Sequence, residues 1–146
     1  MYILDTNVIS ELRKGKKAEQ TVRMWAQALP AANLYLSAVS VLELEIGALL
    51  VDRRDRKQGA ILRAWIDGHV LPSFSGRILA IDTVVAQRCA SLPVPNARSD
   101  RDALIAAATA LVHGMTAVTR NVSHFQATGV TVVNPLAGLR AYSTGF

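Results

Sequence analysis

Met1-Tyr2-Ile3-Leu4-Asp5-Thr6-Asn7-Val8-Ile9-Ser10-Glu11-Leu12-Arg13 sets the reading of the whole chain. A short apolar run ends in a carboxylate, and a helical pattern begins directly after it. The stretch reads as a strand that carries Asp5 to its C-terminal tip, followed at once by a helix. In open α/β sheets, ligands collect outside the carboxyl ends of the strands. Asp5 is therefore the first candidate functional residue, and similar strand ends elsewhere are the places to find its partners.

The same punctuation recurs down the chain. A helix is predicted near Ala18–Leu29, with Val22, Trp25, Ala26 and Leu29 on one stripe. Leu34-Tyr35-Leu36 reads as a strand, and a helix starting at Ser40 follows. Its segment Val41–Val51 is apolar on most sides, as expected of a helix that is buried or covered by another chain. A long amphipathic helix carrying Ile61, Leu62, Trp65, Ile66 and His69 reaches about Val70, with Pro72 to Gly76 as a loop. Arg77–Ile81 is a strand ending in Asp82, and a helix runs over Thr83–Leu92. Two prolines make Pro93–Ser99 a loop. Asp100–His113 is an alanine-rich helix stopped by Gly114. Thr116–Thr119 is a strand leading to Arg120-Asn121, and Val130–Val133 is the last strand, closed by Asn134-Pro135. The tail carries weak signals. Strands alternating with crossover helices predict a three-layer α/β/α sandwich with a mostly parallel, about five-stranded sheet, as one domain over residues 1–146.

Composition narrows the function. The chain has 146 residues, is 51% hydrophobic and carries a formal charge of +5. No apolar run approaches the roughly 18 residues of a membrane span. No basic segment of the signal-peptide kind precedes Asp5. Cys89 is the one cysteine, which excludes an internal disulfide and suits a cytoplasmic protein. It reads as buried filler. The apolar excess points to an interface with a partner or a second copy, and the basic balance suits a polyanion.

Only 11 residues are acidic. Asp5, Glu43 and Asp102 lie where strands end or helices begin, and Asn121 lies at a fourth such place. A parallel sheet brings those places to one end. Carboxylates gathered there repel and desolvate one another. A divalent cation relieves that penalty, and oxygen donors completed by water suit Mg²⁺ or Mn²⁺. Such an ion polarises a phosphoryl oxygen and activates water, so phosphodiester hydrolysis is the expected chemistry.

Local explanations compete with this one. Ser40 and Glu43, and likewise Ser99 and Asp102, have capping-box spacing. Asp5, Asp82 and Asn121 are each placed to cap a helix, and Asp100 sits at a helix N-terminus. Arg98 and Arg101 near Asp102 are possible phosphate contacts. His69 and His113 fall near helix C-termini, where imidazoles are favourable, and His124 follows Asn121 by three. There is no zinc spacing, GxGxxG or GxxxxGK[ST] loop.

Four segments resemble the PIN-domain ribonucleases: Leu4-Asp5-Thr6-Asn7-Val8-Ile9, Ser40-Val41-Leu42-Glu43-Leu44 with Gly47, Asp102-Ala103-Leu104-Ile105-Ala106-Ala107, and Thr119-Arg120-Asn121 followed by Phe125. The likeness is to VapC-type toxins of bacterial toxin–antitoxin pairs, in particular their FitB-like branch, and runs from Tyr2 to about Pro135. It implies Mg²⁺- or Mn²⁺-dependent cleavage of RNA, with the family's acidic quartet on Asp5, Glu43, Asp102 and the position of Asn121. Asp102 is preferred to Asp100 because it directly precedes Ala-Leu-Ile-Ala-Ala. Many relatives carry Asp at the position of Asn121, so this site loses a charge and a one-metal mechanism is expected. Thr6, Asn7, Ser40 and Thr119 are the expected supporting groups.

The resemblance also implies a homodimer or a toxin–antitoxin hetero-oligomer, held inactive by a cognate antitoxin. Operator DNA would be reached only through that antitoxin. Val41–Val51 and the Trp25 stripe are the expected docking surfaces. One rival is a PIN-fold protein that binds RNA or an antitoxin without turnover. Another is a phosphorylatable receiver-like domain, which the chain disfavours by lacking an early adjacent acidic pair and a suitably placed lysine after a later strand.

Overall fold

A computed structural model describes residues 1–93, 101–137 and 141–143. Its strands are β1 (Tyr2–Leu4), β2 (Leu34–Ser37), β3 (Ile78–Leu79), β4 (Thr116–Val118), β5 (Thr131–Val133) and β6 (Ala141–Ser143). They form one sheet in the order β3-β2-β1-β4-β5-β6. The first five are parallel, and β6 runs antiparallel to β5. The helices are α1 (Thr6–Leu12), α2 (Gln20–Gln27), α3 (Ala38–Arg54), α4 (Arg56–Trp65), α5 (Leu71–Ser73), α6 (Thr83–Ser91) and α7 (Arg101–His113).

Successive side chains of a strand face opposite sides of its sheet. Ile3, Ala117 and Val132 therefore join one core, with Val85, Leu104, Ala107 and Phe125. Their neighbours Leu4, Val118 and Val133 join the other, with Val8, Val22, Leu36, Leu44 and Ile66. Both faces of the sheet are covered, as in the expected three layers.

The topology fixes where a site forms. The chain builds β1, β2 and β3 outward in one direction, then returns to place β4 on the other side of β1. The strand order reverses between β1 and β4, which is where open α/β sheets bind ligands. In register, Leu4 faces Val118. The ladder continues beyond both strands, with Asp5 N–H donating to Val118 O at 2.8 Å and Thr119 N–H to Val133 O at 3.0 Å. Asp5 and Thr119 thus emerge side by side at the reversal.

Several expectations change. Helix α3 begins at Ala38, not Ser40, because Ser37 accepts the N–H of Val39 at 3.2 Å and caps it. The strand expected over Arg77–Ile81 shrinks to Ile78–Leu79. Pro72 lies in α5 rather than a loop; a π-helical turn over Ile66–Val70 joins α4 to it, and a proline is tolerated in a helix's first turn. The tail contributes β6, which its weak pattern did not announce.

Trp25 is not a docking surface. It is 3% exposed and packs edge-to-face on Tyr2, with ring centroids 5.4 Å apart. Its stripe faces the protein's own core. Helix α3 is buried on one side through Val39, Leu44 and Ala48, while Leu42, Ile46, Leu49 and Leu50 are 47–57% exposed. Among the described residues, no helix is long and apolar enough to cross a membrane. Arg98, Ser99 and Asp100 lie outside the described residues.

Candidate functional site

The N-terminus of α1 organises the site. Asp5 is its N-cap, in extended backbone, and Oδ1 accepts the N–H of Thr6 at 2.9 Å. The capping explanation is therefore correct for one oxygen. The other oxygen is bound elsewhere. Oδ2 accepts the Thr119 hydroxyl at 2.7 Å and the Asn7 side-chain amide at 3.2 Å. Thr119 is fully buried, and its Oγ1 also accepts the Asn121 N–H at 3.0 Å and Asn7 Nδ2 at 3.3 Å. Asn7 Oδ1 accepts the Arg120 N–H at 3.4 Å. The Thr119–Asn121 segment is in this way fastened to the start of α1.

Glu43, near the start of α3, is held from the same helix. Thr6 Oγ1 donates to Glu43 Oε1 at 2.8 Å. The Ser40–Glu43 capping box does not form; Ser40 is inside α3, and its buried Oγ has no hydrogen-bond partner. Burial pushes the Glu43 carboxyl above its ordinary range, the Thr6 hydroxyl pulls against that, and the negative charges of Asp5 and then Asp102 push it further up. Half-buried Asp102, in the first turn of α7, thus acts on the same spot as Asp5 and Glu43. The ion pairs among the described residues are Lys14–Glu11, Arg63–Glu45 and Arg63–Asp67. None neutralises these three carboxylates.

The other expected residues fall as follows. Asn121 is exposed at the start of the 3₁₀ turn Val122–His124, and its side chain makes no capping bond. His124 is exposed on that turn. Asp82 only caps α6, accepting the Val85 N–H at 3.0 Å. Arg101 is exposed at the start of α7, and its charge is felt at Cys89, whose thiol burial pushes up. Sequence reading singled out neither Arg120 nor Glu11. Glu11 is 4% exposed, accepts the Glu19 N–H at 2.9 Å and pairs with Lys14 Nζ at 2.6 Å. The i,i+3 spacing to Lys14 was its only local signal.

Among the described residues, no three His, Cys, Asp or Glu side chains form a group that holds an ion by itself. The donors brought near one another are carboxylate oxygens, from Asp5 and from Glu43 tied to the start of α1, with Asp102 close enough for its charge to be felt at Glu43. Burial first, and then the charges of Asp5 and Asp102, raise the Glu43 carboxyl above its ordinary range. That donor set fits a hard divalent cation whose shell is completed by water.

The family model described as the PIN domain matches residues 2–129. The chain is 37% identical over 140 residues to VapC ribonuclease Y4jK of Sinorhizobium fredii, covering 92% of this chain and 97% of the relative. It is 36% identical over 139 residues to toxin FitB of Neisseria gonorrhoeae, covering 92% and 98%. The crystal structure of FitAcB from Neisseria gonorrhoeae superposes with a TM-score of 0.80 at 33% identity, covering 92% of this chain and 98% of that one. The structure of FitAB bound to an IR36 DNA fragment matches with the same TM-score and identity, covering 93% and 96%.

Proposed function

The chain belongs to the PIN-domain family, and from that premise we propose that it is the ribonuclease toxin of a toxin–antitoxin pair, dependent on Mg²⁺ or Mn²⁺. Asp5, Glu43 and Asp102 would hold the ion directly or through water, with Asn121 assisting. The observation that carries this reading is the start of α1 at the strand-order reversal, where Asp5 is held by Thr119 and Glu43 is held by Thr6, so that carboxylates from separate elements meet. When bound, the ion supplies charge neutralisation and Lewis-acid polarisation of a phosphoryl oxygen.

The chain's own residues do the rest. Thr119, Asn7 and the α1 backbone hold both oxygens of Asp5, so its remaining lone pairs keep one direction. Thr6 fixes Glu43 through Oε1 and leaves Oε2 for the site. Thr119 fixes the Asn121 backbone and leaves the Asn121 amide exposed to meet the substrate. The reaction is in-line attack of water on an RNA phosphodiester. Positioning and fixed charge supply the rate.

An antitoxin is the natural partner, since the solved FitAcB and FitAB relatives are complexes. Leu42, Ile46, Leu49 and Leu50 of α3, with Ile61 of α4, offer an exposed apolar surface for it or for a second copy. Operator DNA would be reached through the antitoxin, as the DNA-bound FitAB complex suggests.

Cleavage-site mapping on total RNA, with and without EDTA, tests the reading. Cuts are expected from the purified chain with Mg²⁺ and from neither the EDTA sample nor Asp5→Asn. The uncharged Asn121 favours one alternative, a PIN-fold protein that binds RNA or antitoxin without turnover. Absence of metal-dependent cuts in the wild-type sample would select it.

A further inference from the structure

We propose that Arg120 holds an RNA phosphate beside the carboxylate site and begins a basic track that runs along α1 to Lys14, Lys16 and Lys17. The proposal rests on the ribonuclease reading above and adds to it the path of the substrate. Arg120 sits between Thr119, which bonds Asp5, and Asn121. Its backbone N–H is held by Asn7 Oδ1 at 3.4 Å, and the residue is exposed. Asn7, Glu11 and Lys14 follow one another at i, i+4 and i+7, so they share one face of α1 and the turn after it.

Glu11 ties that face together. It pairs with Lys14 at 2.6 Å and takes the Glu19 N–H at 2.9 Å, which fastens the intervening basic turn beside α1. The Arg120 backbone is fastened to Asn7, on the same face of α1 as Glu11, and its positive charge adds slightly to the lowering of the Glu11 carboxyl. Residues 6–18 hold four bases, Arg13, Lys14, Lys16 and Lys17, against one acid, Glu11. Among the described residues, Lys16, Lys17 and Arg120 have no ion-pair partner. Three carboxylates repel a polyanion, and cations must hold it against them. A guanidinium suits a phosphate fork, and exposed lysines further along add salt-dependent affinity without sequence preference.

Anisotropy of a fluorescein-labelled single-stranded RNA tests the track, using the Asp5→Asn chain so that no cleavage intrudes. Arg120→Ala in that background is expected to raise Kd about 3–10-fold and to make the plot of log K against log salt shallower by about 0.7, one phosphate contact on a single strand. Arg120→Lys should restore the slope, because it keeps the charge. Lys16→Ala with Lys17→Ala should remove up to about 1.4 more. Circular dichroism of each variant checks that the fold is kept. Unchanged Kd and slope in Arg120→Ala overturn the proposal. So does a loss confined to antitoxin binding, which would assign the same face to an acidic protein segment. If the wild-type chain does not cut RNA yet Asp5→Asn binds it through Arg120, the ribonuclease reading falls and the track stands. If it cuts RNA while Arg120→Ala binds normally, the track alone falls.

Discussion

Thr6 Oγ1 donates to Glu43 Oε1 across 37 residues of sequence, at 2.8 Å. One position earlier, Asp5 receives the hydroxyl of Thr119 from 114 residues away, at 2.7 Å. Two adjacent residues at the start of α1 are thereby tied to distant elements, Thr6 by holding a carboxylate and Asp5 by having its own held. Thr6→Val keeps the shape of the side chain and removes the donor. It is expected to lower kcat about 10–100-fold, as loss of an outer-shell partner does, with the circular dichroism spectrum unchanged. Single-turnover cleavage measures it, and a wild-type rate would show that Glu43 needs no such support.

Thr119→Val is expected to cost stability as well as rate. The buried hydroxyl serves Asp5, Asn7 and the Asn121 N–H together. Stranding those groups costs about 1–3 kcal/mol, read from urea unfolding, and Thr119→Ser should recover most of it.

Glu43 gives a stability prediction with an unusual sign. Its folded pKa is raised, chiefly by burial and then by Asp5 and Asp102. The folded state therefore binds this proton more tightly than the unfolded chain. Ionised Glu43 weakens the fold above its folded pKa, and the penalty fades as pH falls toward the ordinary value. Glu43→Gln should raise Tm at pH 7.5 in EDTA by about 1–3 °C, allowing for solvent screening of a half-buried group, while abolishing cleavage. A lowered Tm would mean that Glu43 is a structural group.

Glu11 and Glu45 act in the opposite direction. Lys14 first, then the Glu19 N–H, hold the Glu11 carboxyl below its ordinary 4.5. Arg63 does the same for Glu45. Their stabilisation is complete above pH 4.5 and is lost as pH falls through the lowered folded values. Thermal melts from pH 6 to pH 3 should show Tm dropping below about pH 4.5, and Glu11→Gln should flatten that drop.

A divalent cation that binds only the folded chain must stabilise it. Mg²⁺ at about ten times its Kd should add roughly 1.4 kcal/mol, reversed by EDTA and absent in Asp5→Asn. A melt insensitive to both Mg²⁺ and Mn²⁺ would remove the metal from the proposed site.

The α/β alternation was legible because each element carries its own local pattern. The β1–α1 boundary at Asp5, the buried run Ala106–Ala108 and the apolar strands needed no distant information. What misled were signals with two local solutions. Ser40 has capping-box spacing to Glu43, yet Ser37 at the end of β2 is the residue that caps α3. A helical stripe says that a face is apolar but not what covers it, so Trp25 read as a docking surface although it packs on Tyr2. For the candidate site, the positions of the carboxylates were visible singly. The resemblance named Thr6, Asn7 and Thr119 as their supports, but not which carboxylate each serves, because Thr6–Glu43 and Asp5–Thr119 are contacts between elements. The one support with a plausible local sign, Ser40, makes no hydrogen bond.

The central place of β1 also has a consequence in time. The hydroxyl partner of Asp5 and the strand on its other flank come 114 residues later in the chain. At about 5–20 residues per second, that gap lasts on the order of ten seconds. Until β4 arrives, Asp5 has neither Thr119 nor a filled sheet beside it. The Asp5 end of the site is therefore completed only once the chain has delivered β4 to the open flank of β1.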